Sequence, residues 1–156
     1  MSYVTVFGLL CLAVSIQTGS TKDIPYYITI KTGHKLAAGT DAKVFIQLNG
    51  PKGTTGRIVL EEQNSKSFEK GSVDQFTVMG PDVGQVTSIE IGHDNSGIGP
   101  GWFLDSVEVV QVQNKLSDKP SFIKTRFDLN NWIPGDEKSK TPFKKIKATS
   151  TETKPI

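Results

Sequence analysis

The amino-acid sequence predicts an all-β protein, built as an antiparallel sandwich or barrel. Apolar and polar residues alternate in many short segments, and no stretch keeps the period of about 3.6 residues that marks an amphipathic helix. Clusters of glycine, proline, asparagine and aspartate separate these segments, as expected for turns between strands. Short strands spaced in this way are typical of antiparallel sandwiches and barrels.

The predicted strands each have a dry face and a wet face. The segment YYITIKT places Ile28 and Ile30 on one side, and AKVFIQLNG does the same with Val44, Ile46 and Leu48. The strands predicted after them, in chain order, are RIVLEE, DQFTVMG, VTSIEIG, WFLDSVEVVQV and SFIKTRFDLNNWI. Strands of this kind bury one face of each sheet and leave the other face to solvent.

Both ends of the chain are predicted to lie outside the folded domain, which is expected at residues 24–146. Residues 1–20 have the pattern of a secretory signal, because the uncharged apolar run Val4–Val14 is too short to span a bilayer. The protein is therefore expected to be secreted. Cys11 lies in that segment, so the mature chain would contain no disulfide. Residues 147–156 offer little to bury and are expected to form a flexible basic tail.

The composition argues against catalysis and against nucleic-acid binding. The two histidines, His34 and His93, lie far apart without a G-x-S-x-G motif or a mature cysteine, so neither a Ser-His-Asp site nor a zinc site is indicated. Gly97, Gly99 and Gly101 lead into a β-alternation, whereas a phosphate-binding glycine loop must open a helix. The net charge of +2 is too small for a nucleic-acid-binding protein.

Oxygen-rich turns leave a calcium site as the remaining chemistry. Asp41 lies in AAGTDA at the start of a predicted strand, Asp94 and Asn95 lie in HDNSG, and Glu69 lies in SFEKG. Calcium takes six to eight oxygen ligands at roughly 2.3 to 2.6 Å from carboxylates and backbone carbonyls. The same residue types also stabilise turns without any ligand, so the spacing alone leaves both interpretations open.

Three motifs in one order resemble the PLAT domain of polycystins, lipoxygenases and clostridial alpha-toxin. They are TGHKLAAGTDAKVFIQLNG, SFEKGSVDQF and IEIGHDNSGIGPGWFLDSVEV, followed by WIPGD, and the resemblance runs from Tyr26 to about Trp132. It implies an eight-stranded antiparallel β-sandwich of two four-stranded sheets. It also implies a non-catalytic domain that targets lipid surfaces or partner proteins, often with calcium in its loops.

The resemblance also implies a set of calcium ligands on the GTD loop. In the lipoxygenase version these are backbone carbonyls and the aspartate of that motif. The matching residues here are Leu36, Ala37, Gly39, Thr40 and Asp41.

A second calcium site of the family is expected to be lost in this chain. Lys66 and Ser67 stand where the family pattern has Asn and Asp, so that only Glu69 remains. Pro100 and Gly101 replace an acidic ligand ahead of the tryptophan. Asp94 and Asn95, a few residues earlier in the same loop, are the predicted replacements.

Loop-tip residues carry the membrane contact in the calcium-dependent lipoxygenase version. Their counterparts here are Leu36, Ile98 or its neighbour Gly97, and Trp132. Leu36, Ile98 and Trp132 are therefore the predicted membrane-binding residues. Trp102, which begins an apolar alternation, is predicted to pack inside the domain and to anchor the glycine-rich turn.

These observations predict a stand-alone, secreted, non-catalytic module that binds lipid or membrane surfaces with calcium as a modulator. The alternative is an extracellular protein-protein interaction module that uses neither lipid nor calcium. The absence of an aromatic residue at Gly97 favours this alternative. Neither hypothesis makes the chain an enzyme.

Overall fold

The computed structural model describes residues 22–61, 67–113, 120–135 and 141–155. The predicted signal segment 1–20 lies outside the described residues. Within these ranges the chain forms ten strands: β1 Asp23–Thr32, β2 Val44–Gly50, β3 Gly53–Thr54, β4 Ile58–Leu60, β5 Val73–Pro81, β6 Ser88–His93, β7 Trp102–Gln113, β8 Ser121–Ile133, β9 Phe143–Lys147 and β10 Ser150–Pro155. No helix in the described ranges is long and apolar enough to cross a membrane.

The strands form two antiparallel sheets, which confirms the predicted all-β sandwich. Sheet A has the strand order β10-β8-β7-β1-β5. Sheet B has the order β3-β2-β6-β9, and β4 pairs with the same strand, β2, as β3 does. The two sheets bury a shared core between them, with Ile28 and Ile30 from sheet A and Ile46, Leu48 and Ile91 from sheet B.

The sheets differ slightly from the expected four strands each. β3 and β4 are two short pieces beside β2, which pairs with β3 at Asn49–Gly50 and with β4 at Val44–Ile46. The chain between the pieces leaves the ladder at Thr55, whose hydroxyl accepts a hydrogen bond from the Leu48 N–H at 3.0 Å. β3 and β4 are therefore two pieces of one interrupted edge strand, which gives sheet B five strands instead of four.

Ser150–Pro155, which lie in the segment expected to form a flexible tail, form the strand β10. This strand pairs with β8 in the register Ser150 with Arg126 through Pro155 with Ser121. All of its residues are exposed, so backbone hydrogen bonds rather than buried side chains hold it in the sheet. A strand of this kind leaves no apolar alternation in the sequence.

Phe45 is buried although it lies among the polar positions of β2. It is 6% exposed because the Arg57 guanidinium covers its ring at 4.4 Å from the centroid. The same guanidinium lies 5.1 Å from the centroid of Phe143 on β9. A cation–π contact on both sides of Arg57 thus joins β2 to β9 across the outer face of sheet B.

Candidate functional site

The loops at one end of the sandwich meet in a single cluster, which we call the loop end. It consists of residues 33–43, 67–72, 94–101 and 134–135. Antiparallel pairing brings these loops together, since Val44 pairs with His93 and Trp102 pairs with Ile133. Every sequence-predicted site residue lies in these loops except Trp132, which lies in the last residues of β8.

Thr40 of the GTD motif links three of the loops. Its hydroxyl donates a hydrogen bond to the Pro100 carbonyl at 2.9 Å and accepts one from the Ala42 N–H at 3.2 Å. Its own N–H donates to the Phe68 carbonyl at 3.2 Å. The residue is 6% exposed, so these bonds are shielded from water and hold the loops in one arrangement.

Glycines allow the loops to approach one another closely. A Cβ on Gly97 would lie 2.8 Å from the Cβ of Asp41, and a Cβ on Gly39 would lie 3.1 Å from Oε2 of Glu69. The φ angle of Gly97 is +80°, a conformation that glycine adopts without strain. The predicted role of the glycine cluster, to turn tightly and bring its loop against the Asp41 loop, is confirmed at Gly97.

Asp94 fixes the turn that carries Ile98. Its Oδ1 atom accepts hydrogen bonds from the Lys43 N–H and the Ser96 N–H, each at 3.0 Å, and from the Ser96 hydroxyl at 2.5 Å. The hydroxyl of Ser96 is the main cause that lowers the pKa of the Asp94 carboxyl, with help from the two N–H groups. Asp94 thus joins β6 to the start of β2 as a carboxylate.

His93, a buried and neutral side chain, supports the turn that carries Ile98. Burial lowers the pKa of its imidazole from the ordinary value of 6.5. The ring accepts a hydrogen bond at Nδ1 from the Asn95 N–H at 3.2 Å, which leaves Nε2 to donate to the Ile133 carbonyl at 3.4 Å. His93 is therefore a structural residue that joins β6 to the end of β8.

Trp102 is the internal anchor that the sequence predicts. It is fully buried, and its Nε1–H donates to the Thr32 hydroxyl at 3.0 Å. Its indole meets the Phe68 ring edge to face, with centroids 5.6 Å apart. Because Phe68 belongs to the loop that also bonds Thr40, this packing connects the core to the loop end.

Large apolar side chains are exposed at the loop end. Leu36 is 88% exposed and Ile98 is 91% exposed, at the tips of the two loops that Thr40 joins. Trp132 is 37% exposed and contacts Phe103 edge to face, with centroids 5.4 Å apart. The structure thus presents all three predicted membrane-binding residues to solvent at the same end of the sandwich.

The predicted calcium ligands come from neighbouring segments of the loop end. Those of the GTD loop lie beside Glu69, whose carboxylate approaches Gly39, and beside the loop of Asp94 and Asn95, which touches Asp41 through Gly97. Within the part of the chain that the structure describes, no three His, Cys, Asp or Glu side chains are close enough to hold a metal ion.

The predicted ligands can hold calcium only if backbone carbonyl oxygens complete the set of oxygen ligands. The Lys35 carbonyl accepts a hydrogen bond from the Ala38 N–H, and the Ala38 carbonyl accepts one from the Phe103 N–H on β7. Among the described residues, no backbone N–H bonds the carbonyls of the predicted ligands Leu36, Ala37 and Gly39. Calcium accepts such carbonyl oxygens together with a carboxylate. The ligand assignment stays a prediction.

Comparison with known proteins identifies the family. The sequence profile of the PLAT/LH2 domain matches residues 26–144. The chain belongs to the PLAT/LH2 family. Lipoxygenase homology domain-containing protein 1 of Mus musculus is 42% identical over 112 residues, which are 72% of this chain and 5% of that protein. A PLAT domain by itself is a non-catalytic module.

Solved lipoxygenase structures contain the same fold. A coral 8R-lipoxygenase, described as activated by calcium through a C2-like domain, matches with a TM-score of 0.65 and 28% identity over 80% of this chain and 17% of that one. A calcium-dependent 11R-lipoxygenase matches with a TM-score of 0.61 and 26% identity, again over 80% and 17%. This PLAT domain corresponds to a small part of each relative.

Sequence reasoning missed the contacts that fix the loops. The carboxylate of Asp74 accepts hydrogen bonds from the Phe68 N–H at 2.9 Å and the Ser72 hydroxyl at 2.6 Å, closing the 67–72 loop. The spacing of Ser72 and Asp74 in GSVDQF is a signal for such a turn. The link from Thr40 to Pro100 has no local signal, because the two residues are 60 positions apart.

Thr40→Val is expected to lower the free energy of unfolding by about 1–3 kcal/mol, because it leaves the buried Ala42 N–H without its partner. Thr40→Ser, which keeps the hydroxyl, is the matched control and should lose much less. Urea denaturation of the two variants measures the difference. Equal losses would show that the hydroxyl does not join the loops.

Proposed function

We propose that this PLAT domain docks reversibly on a membrane surface through its loop end, with calcium ordering the loops. The observation that carries the proposal is the exposure of Leu36 and Ile98, 88% and 91%, on two loops that hydrogen bonds and close packing hold together. Apolar side chains at such tips are costly in water unless they have a surface to enter.

The apolar contribution suits weak and reversible adsorption. Fully burying a leucine or isoleucine side chain stabilises by roughly 1.5–3 kcal/mol, and two tips that enter only the interface gain part of that. Trp132 adds an amphipathic ring of the kind that collects at the membrane–water boundary.

Lysines at the loop end supply the electrostatic part. Lys35, Lys43 and Lys70 are exposed there, and each lysine near an anionic leaflet contributes about 1 kcal/mol. The tail lysines do not share this role. Lys147 pairs with Ser88 and Lys154 with Phe122, which places both at the opposite end of the sandwich.

Calcium would be held by Asp41, Glu69 and the carbonyls of Leu36, Ala37 and Gly39. A bound ion would supply positive charge that attracts these oxygens. The Thr40 and Gly97 contacts already place the loops side by side, so the ion would only need to order their tips. The two calcium-regulated lipoxygenases with the same fold support this part of the proposal.

The same proposal places the domain outside the cell. The uncharged apolar N-terminal sequence, with the run Val4–Val14, supports export through a secretory signal.

A protein partner is the second candidate function. The outer face of sheet A exposes Tyr27 on β1 and Val73 and Met79 on the edge strand β5, which are 45%, 60% and 57% exposed. An open sheet edge next to apolar side chains suits a partner that adds a strand.

Sedimentation with vesicles tests the membrane proposal. Leu36→Ser/Ile98→Ser is expected to lower the partition coefficient onto vesicles by at least tenfold, because the substitutions remove the apolar side chains at the loop tips. Met79→Ser/Phe122→Ser is the matched control, since it removes two exposed apolar side chains at the opposite end of sheet A and should bind normally. Vesicles of phosphatidylcholine with phosphatidylserine are compared with pure phosphatidylcholine, each with calcium and with chelator.

The outcomes separate the two candidates. If the unchanged protein stays in the supernatant with every vesicle, the membrane proposal fails and the protein-interaction function is favoured. Calorimetric titration with calcium tests the metal independently, and Asp41→Asn should abolish the heat of binding. No heat with the unchanged protein removes calcium from the proposal but leaves the apolar tips to be judged by the vesicles.

A further inference from the structure

A small hollow opens on the outer side of sheet A at the loop end. Its volume is about 240 Å³, below the roughly 300–1,000 Å³ of ordinary small-molecule pockets. The lining residues are Lys31, Gly33, His34, Lys35, Phe103, Asp105 and Asn130. The size suits one polar group of a larger molecule. We call it the basic hollow.

Irregularities in two adjacent strands, β7 and β8, create the basic hollow. Lys31 pairs with Ser106 and the next residue, Thr32, pairs with Leu104, so Asp105 is an extra residue in β7. On the other side Leu104 pairs with Asn131 and Ser106 with Asp128, so β8 also departs from regular pairing. A β-bulge redirects side chains and is over-represented next to functional sites.

The backbone of β8 is also unusual at this point. Asn130 has a φ angle of +46°, in the left-handed region that asparagine tolerates better than most residues. Asp105 and Asn130, from the two sides of the irregularity, both line the basic hollow. The hollow therefore results from the strand registers and not from the chance position of surface side chains.

The charges in the basic hollow favour an anion. Asp105 is the only acidic residue among the described residues that line it, and the Lys31 ammonium lies 3.4 Å from its carboxylate. Lys35 adds a second ammonium, 5.7 Å from the centroid of the Phe103 ring. His34 and Asn130 carry further N–H donors. Two lysines against one aspartate leave a net positive site with several donors, which suits a phosphate oxygen cluster.

Neighbouring contacts fix the walls of the hollow. The His34 imidazole packs on the backbone of Gly71, where an added Cβ would lie 2.7 Å from its Cε1 atom. The Phe103 ring, 6% exposed, packs against Gly33 and against Trp132. The Phe103 ring, which forms the floor of the hollow, thus contacts the proposed membrane anchor Trp132. Lys35 directly precedes a second proposed anchor, Leu36. A group in the hollow would lie at headgroup depth when these anchors enter the interface.

We propose that the basic hollow binds the phosphate group of a membrane lipid whose headgroup has a net negative charge, because the choline of a neutral headgroup would bring another cation against the Lys31 and Lys35 ammonium groups. The inference rests on the proposed membrane function and adds the headgroup chemistry that this surface selects. Lys31 and Lys35 supply the positive charge, and His34 and Asn130 supply hydrogen-bond donors. Apolar tips alone would give no preference among lipids, whereas an anion site at their rim selects a charged headgroup.

Vesicle binding by charge-neutral variants tests the hollow. Lys31→Gln/Lys35→Gln is expected to weaken binding to phosphatidylcholine vesicles with 30% phosphatidylserine by about tenfold or more, and to leave binding to pure phosphatidylcholine unchanged. Lys147→Gln/Lys154→Gln removes the same charge from exposed positions at the opposite end of the sandwich. This control should lose no more than about threefold. Circular dichroism melting curves check that both variants fold.

Titration with inorganic phosphate distinguishes the lipid from a soluble source. In ¹⁵N-labelled protein without vesicles, phosphate is expected to shift the amide signals of Gly33, Lys35 and Asn130 only weakly at millimolar concentrations. Strong, saturable shifts without any vesicle effect of the hollow variant would overturn the lipid as the source. Equal losses by the two lysine double variants would overturn the hollow itself and show unspecific attraction to the surface.

Failure of the proposed function gives a different result. In that case the unchanged protein binds no vesicle of either composition, and the lipid assignment falls with the membrane function. Normal binding of the unchanged protein together with normal binding of Lys31→Gln/Lys35→Gln would instead overturn the hollow and leave the membrane function intact.

Discussion

Replacing Trp102 with alanine is expected to lower the free energy of unfolding by about 3–5 kcal/mol, as for other fully buried tryptophans. The indole is completely enclosed, bonds the Thr32 hydroxyl and packs on Phe68. Its loss opens a cavity between the core and the loop end and leaves a buried hydroxyl without its donor. The Phe68 loop, which bonds Thr40, should lose order together with the core.

Trp132→Ala is the matched control for this prediction. Trp132 is 37% exposed and touches Phe103 at the surface, so its removal should cost no more than about 1.5 kcal/mol. If the proposed membrane function is correct, the main effect of Trp132→Ala should be weaker vesicle binding. Urea denaturation followed by circular dichroism measures both variants, and Trp102→Phe gives a milder change if the alanine variant does not fold. Similar stability losses for the two alanine variants would contradict the assignment of Trp102 as the anchor.

Alternation along the chain predicts the sandwich because each long strand has one face in the core. Ile28 and Ile30 are buried where YYITIKT indicates, and Val44, Ile46 and Leu48 are buried where AKVFIQLNG indicates. β10 could not be predicted in this way, since its pairing with β8 uses only backbone groups and its side chains are exposed. Short pieces such as β3, with two residues, are also too brief to show a period.

The candidate site was predictable where local motifs carry it. The GTD and HDNSG segments indicate turns from their residue types, and Gly97 does lie against Asp41. The basic hollow has only a partial signal, the lysines and histidine of KTGHK at 31–35. Its shape depends on how β1, β7 and β8 shift register around Asp105, and no single segment contains that information.

The loop end depends on the close approach of two loops, and Gly97→Ala is expected to disturb it strongly. The new Cβ would lie 2.8 Å from the Asp41 Cβ and 3.1 Å from its carbonyl oxygen. Overpacking of this kind costs roughly 1–3 kcal/mol, and an alanine at a φ of +80° adds about 1–2 kcal/mol of backbone strain. The expected loss of unfolding free energy is therefore about 2–5 kcal/mol.

Gly99→Ala separates the steric contact from the backbone strain. Gly99 has a φ of +73°, close to that of Gly97, but an added Cβ meets no atom of the described residues within 4 Å. Its variant should lose only the backbone cost of about 1–2 kcal/mol. Urea denaturation gives the difference between the two variants, and vesicle sedimentation should show the larger loss for Gly97→Ala because Ile98 then moves away from the Asp41 loop. Equal stabilities would mean that the two loops are not in contact, and the proposed docking surface would lose its rigid base.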